Sequence, residues 1–154
     1  MPSTMGASAA DREMSWRRML RFGAILSFGV AAVVAAGVIP AVKADAFPLA
    51  TPDTAVPAFW GIVIADVLVG AALLSTALMT RRRRRVRPVL IVAAGFVGLL
   101  LGLGMLDAAL AFTGHGPAMR GPMIALFVCV GAELTVGATV VAAMILRRRA
   151  PALE

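Results

Sequence analysis

"FVCVGAELTVGATVV", residues 127–141, places one carboxylate, Glu133, in a run that is otherwise uncharged and largely apolar. Such a run belongs either to the core of a large soluble protein or to a membrane span. Composition decides between them. Of 154 residues, 60% are hydrophobic and only 15% charged, whereas a soluble domain carries about 25% charged residues and roughly half apolar ones. The apolar residues are gathered into four blocks without Lys or Arg, at 22–42, 57–80, 88–112 and 122–146. Each supplies the ~20 residues that cross a hydrocarbon layer of ~30 Å.

A backbone in lipid has no water to bond to, so spans of this kind are expected to be helices. The predicted fold is an all-α membrane protein, a four-helix transmembrane bundle over 22–146 built as two antiparallel hairpins. Residues 1–21 and 147–154 are expected as basic tails. Pro57, Pro88 and Pro122 stand at the starts of blocks two, three and four, where a helix has no use for the missing N–H. Trp16 and Phe22 mark one end of the first hairpin, and Phe47, Phe59 and Trp60 the other, as interfacial aromatics do.

Basic residues set the orientation. Arg12, Arg17, Arg18, Arg21, Arg81, Arg82, Arg83, Arg84, Arg85, Arg87, Arg147, Arg148 and Arg149 fall on one side, and only Lys43 and Arg120 on the other. With short loops the positive-inside rule puts both termini in the cytoplasm. The arginine run at 81–85, with Arg87, is expected to lie against anionic lipid headgroups, each residue contributing roughly 1 kcal/mol near the surface. Without interleaved aromatics it does not point to nucleic acid. Arg outnumbers Lys, and Ala, Gly and Val dominate the helices. This bias is read as GC-rich coding and a bacterial plasma membrane. A competing reading makes the first block a signal peptide ending at "ADA" (44–46), with Arg17-Arg18 hinting at a twin-arginine signal. Its apolar run is longer than the usual h-region of about 7–15 residues, which favours a retained helix.

Glu133 has counterparts. Asp66 lies in block two and Asp107 in block three. A shift of 67 residues sets "ADVLVGA" (65–71) on "AELTVGA" (132–138), pairing Asp66 with Glu133 and Gly70 with Gly137, with eight identities over 58–82. The match suggests a duplicated helical hairpin. An ionised acid near the middle of a span costs about 2.5–3.5 kcal/mol. All three acids are therefore expected to face the bundle interior and to be at least partly protonated. Gly70 and Gly137, one turn from the acids, are expected to let a neighbouring helix approach. Gly95, Gly98 and Gly102 give helix three a second flat face, for packing within the bundle or across a dimer.

Two functions fit these acids: hydrogen-bonding glue between helices, or a proton or cation site. The remaining residues exclude more than they suggest. Cys129 is expected to be an ordinary small apolar residue, and His115 a solvated loop residue without the partners a metal needs. No catalytic motif is present, and "GLGMLD" (102–107) lies inside an apolar block with no strand before it. The expectation is a non-enzymatic integral membrane protein without cofactor or metal. It would act as an accessory, partner-binding or self-associating subunit, with a lipid bilayer and a membrane protein or second copy as partners. The alternative is a proton-coupled small exporter or cation pathway using Asp66 and Glu133.

Overall fold

The computed structural model describes residues 9–44, 52–78, 86–111, 113 and 120–148. It contains α1 (Ala9–Val33), a π-helical turn (Val34–Val38), α2 (Ile39–Lys43), α3 (Pro52–Leu78), α4 (Val86–Ala111) and α5 (Arg120–Arg148). The protein is all-helical, with four rods long and apolar enough to cross a membrane: Glu13–Lys43, Ala55–Leu78, Pro88–Leu110 and Arg120–Ile145. It is a multi-pass membrane protein by this measure.

The first rod joins α1, the π turn and α2 without a break. Its wide turn has an identifiable cause. Pro40 brings no N–H and its ring crowds the carbonyl four residues back, so the preceding turn opens to make room. The rod ends where the Ala44 N–H donates to the Pro40 carbonyl at 3.1 Å. Pro88 and Pro122 fall within the first turns of α4 and α5, among N–H groups that lack helical partners in any case. Pro57 does not mark a helix start: α3 begins at Pro52 and carries Pro57 inside it.

The expected tail at 1–21 is also corrected. Helix α1 runs from Ala9, and Trp16 and Leu20 are buried in the bundle. Trp16 is therefore a core residue, not an interfacial one. Its Nε1–H donates to Glu13 Oε2 at 3.0 Å, and the Arg17 guanidinium holds Glu13 Oε1 at 2.8 Å while lying 5.9 Å from the Trp16 ring centre. Phe59 is likewise buried, whereas Phe22 and Trp60 are about half exposed. Phe47 lies outside the described residues.

Helix α1 packs on α3 and α5, and α4 packs on α5 and α3. The rods thus form a ring, with α3 and α5 facing one another across it. The core divides into two apolar clusters. One gathers Trp16 and Leu20 of α1, Leu73 and Ala77 of α3, Ile91 of α4, and Val140 and Ala143 of α5. The other gathers Val34, Val38, Phe59, Val63, Met105, Ala109, Leu126 and Cys129. Each cluster takes the early half of one helix and the late half of the next. The outward faces carry Ile64, Leu68, Val92, Phe96, Leu100 and Leu103, all exposed. These are the residues lipid would cover.

Candidate functional site

Between the two apolar clusters lies a polar layer. Along each helix the inward positions recur at the spacing that keeps one face toward the bundle axis. On α1 they run Leu20, Ala24, Ser27, Val30, Val34; on α3, Phe59, Val63, Asp66, Val69, Leu73. On α5 they run Leu126, Val130, Glu133, Val136, Val140. On α4, Gly98 falls between Ala94 and Met105 and is also buried. Ser27, Asp66, Gly98 and Glu133 each lie within about one residue of the middle of their own span. The layer therefore sits at the midplane of any bilayer these rods cross.

The two acids come together there. Asp66 and Glu133 point inward from opposite helices of the ring, and their carboxyl groups interact as neighbours. Both residues are essentially inaccessible, at 0% and 1% exposure. Beyond that mutual contact, none of the four carboxyl oxygens makes a hydrogen bond to another described residue. Ser27 Oγ completes the set, fully buried and also without a partner. Other hydroxyls of the spans behave differently. Thr76, Thr135 and Thr139 donate to carbonyls of their own helices at 2.7–2.8 Å, the usual refuge of a hydroxyl in an apolar helix. Ser27 keeps its hydrogen-bonding capacity unspent, on the face of α1 that meets α3 and α5.

Glycines shape the layer on the α4 side. A Cβ on Gly98 would stand 2.8 Å from Glu133 Oε2, and one on Gly102 would stand 3.3 Å from Glu133 Cβ. A Cβ on Gly95 would meet Val140 Cγ1 at 3.0 Å. The Gly95–Gly98–Gly102 face is thus covered by α5 of the same chain and is not open for a dimer. Gly70 receives the Phe28 ring, whose Cε1 and Cζ would be 3.0 Å from an added Cβ. Gly137, its repeat partner, has no atom within 4 Å of that position, so the close approach expected there is not made.

Asp107 is the other correction. It is exposed on α4, four residues before the helix ends at Ala111, and does not share the interior with Asp66 and Glu133. Near a span end a carboxylate reaches the headgroup region, which removes the reason to bury it. Cys129, one turn from Glu133, is buried in an apolar cluster. Among the described residues, no group of three or more His, Cys, Asp or Glu side chains is placed to hold a metal ion. His115 and Arg81 to Arg85 lie outside the described residues, as does the side chain of Arg87.

Ser27 is the residue that sequence reading missed. Its signal was its place midway along the first span at the inward spacing set by Leu20, Ala24 and Val34. Comparison with models of protein families finds no match, and searches of curated proteins and of solved structures find none either.

Chemically, the layer can hold protons or a small cation. Two like charges facing each other at the midplane would repel strongly, because the apolar surroundings screen them poorly. No basic side chain is buried among the described residues, so none offsets the charge of the pair.

Proposed function

We propose that this chain is a small, non-enzymatic membrane protein whose Asp66–Glu133 pair takes up and releases a proton at the bilayer midplane. The pair would couple that exchange to passage of a cationic or lipophilic substrate. The observation that carries this reading is a pair of acids buried side by side at the middle of the spans, with an unpartnered Ser27 hydroxyl at the same level and no basic side chain buried among the described residues. Helices can be joined by hydroxyls and amides alone, whereas a pair of titratable groups at the midplane is suited to a proton or cation that comes and goes.

In this proposal the rods form two antiparallel hairpins in a bacterial plasma membrane, with both termini and the arginine run 81–85 in the cytoplasm. The chain is expected to work with a second copy or a membrane partner, because four helices are few for an enclosed path. An accessory or self-associating subunit without transport is the reading that stands if exchange is absent.

The test uses reconstituted vesicles with an internal pH dye and an imposed pH gradient. Glu133→Gln keeps the shape and offers a donor. It should leave assembly intact while abolishing gradient-driven proton movement, whereas Glu133→Ala should also loosen packing. Equal movement in wild type and Glu133→Gln would end the exchange reading.

A further inference from the structure

Helix α1 enters the bundle carrying two cations that its surroundings do not neutralise. Arg17 is held by Glu13 at 2.8 Å. Arg18 and Arg21 are both exposed, and neither forms an ion pair with a described acid. Arg18 Nη2 donates to Met14 Sδ at 3.3 Å, and a thioether is a weak acceptor. These two arginines do not stand in a solvated tail. They bracket Leu20, which is gathered with Leu73 and Ala77 of α3 and with Val140 and Ala143 of α5. Those residues lie in the last two turns of spans that end at Leu78 and Ile145. Arg18 and Arg21 are therefore level with the edge of the apolar layer, on the outward side of α1.

We propose that Arg18 and Arg21 together hold the phosphate of one anionic phospholipid, whose acyl chain lies along Phe22, Ile25 and Gly29. This assignment does not rest on the proton-exchange reading. Residues three apart on a helix have Cβ atoms about 5–6 Å apart, and helical side chains lean toward the N-terminus, which carries Arg21 back toward Arg18. Two unpaired guanidinium groups at that spacing repel, and an anion between them turns the repulsion into attraction. A phosphate fits because its oxygens match the planar donor fork of arginine. The same face of α1 then becomes apolar. Phe22 and Ile25 are 50% and 67% exposed, and an added Cβ on Gly29 would have nothing within 4 Å. A track that is cationic at the end of the bundle and apolar toward its middle has the polarity of a phospholipid. Charge selects the headgroup. Phosphatidylcholine brings an ammonium with its phosphate, whereas phosphatidylglycerol sets a net negative charge against two positive ones.

The test uses full-length protein carrying Phe22→Trp and Trp60→Phe, in vesicles that mix phosphatidylcholine with phosphatidylglycerol. Phe22 is half exposed, so exchanging one aromatic for another leaves the core untouched. Bromine on the acyl chains of one lipid or the other quenches the indole placed at residue 22, and the ratio gives relative affinity at that face. Trp16, 4% exposed, is the background, subtracted with protein that keeps Phe22. Phosphatidylglycerol should be preferred by about thirtyfold, the factor that two arginines supply near an anionic surface. Arg21→Gln should lower the preference by about fivefold, and Arg18→Gln with Arg21→Gln should abolish it. Arg83→Gln with Arg84→Gln, in the arginine run, should leave it unchanged.

Equal quenching by the two brominated lipids would overturn the site, as would a preference that survives loss of both arginines. An equal fall in Arg83→Gln with Arg84→Gln would mean that net charge gathers the lipid with no site on α1, and would overturn it too. If neither lipid quenches until the protein is diluted in lipid, a second copy of the chain covers this face and the proposal fails.

Discussion

Replacing Glu133 by methionine separates the two uses of a buried acid by the sign of a stability change. Methionine has similar length, no charge and a flexible thioether that adapts to irregular space. Glue between helices would be lost with the carboxyl, costing about 0.6 kcal/mol for a typical bond in a membrane bundle and at most ~2. The structure argues for the opposite sign. Both Glu133 oxygens are buried with no hydrogen-bond partner beyond the facing Asp66 carboxyl, and leaving such a group incompletely satisfied costs ~1–3 kcal/mol. The separated helices also hold the acid in an apolar medium, where it finds partial relief, so the lower end of that range applies. Glu133→Met should therefore gain about 1 kcal/mol of bundle stability while losing all proton exchange, as expected when function is maintained against stability. Titration with a denaturing detergent from mild micelles measures this, with Trp16 fluorescence as the reporter. That indole is 4% exposed within the bundle, and Trp60→Phe removes the other tryptophan. A Glu133→Met protein less stable than wild type by roughly 0.5 kcal/mol or more would show that the acid is glue.

Gly98→Ala would place a methyl 2.8 Å from Glu133 Oε2 and should cost ~1–3 kcal/mol in the same titration through overpacking. Gly137→Ala, with nothing within 4 Å, should instead gain about 0.5–1 kcal/mol from better helix propensity; equal effects at the two sites would contradict the packing described. Ser27→Ala removes an unpartnered buried hydroxyl, so stability should hold or rise slightly while gradient-driven exchange falls. Unchanged exchange in that variant would take Ser27 out of the layer. Reporter fusions after residue 50 and at residue 84 should read outside and inside, and a mature N-terminus at Phe47 would leave only three spans.

Most of the architecture was legible because the bilayer imposes it. Four blocks without Lys or Arg could only be spans, and the helices observed agree with them to within a few residues at most ends. The departures are local and physical. Residues 9–21 read as a solvated tail because Arg12, Arg17, Arg18 and Arg21 dominate their composition. Charge counts do not reveal that Trp16 and Leu20 share one face with Ala24, nor that Arg17 is neutralised by Glu13 at 2.8 Å. The π turn could not be anticipated either, although Pro40 inside an apolar run gave the reason for it.

The polar layer shows why two acids could be placed from sequence and a third could not. Asp66 and Glu133 lie at the centres of their spans, out of reach of either headgroup region, so burial against another helix was the only low-cost outcome. Asp107 is four residues from the end of α4, where a carboxylate turns outward at little cost, and repetition of residue type said nothing about that. The 67-residue repeat carried the more useful constraint. Asp66 and Glu133 each lie near the middle of spans of similar length, so the 67-residue offset between them became proximity once α3 and α5 faced one another across the ring. Ser27 and Gly98 belong to the unrepeated helices, and only packing assigns them to the same level. An alanine in place of Gly98 would press on Glu133, whereas Ser27 is placed only by its burial at the same level of α1.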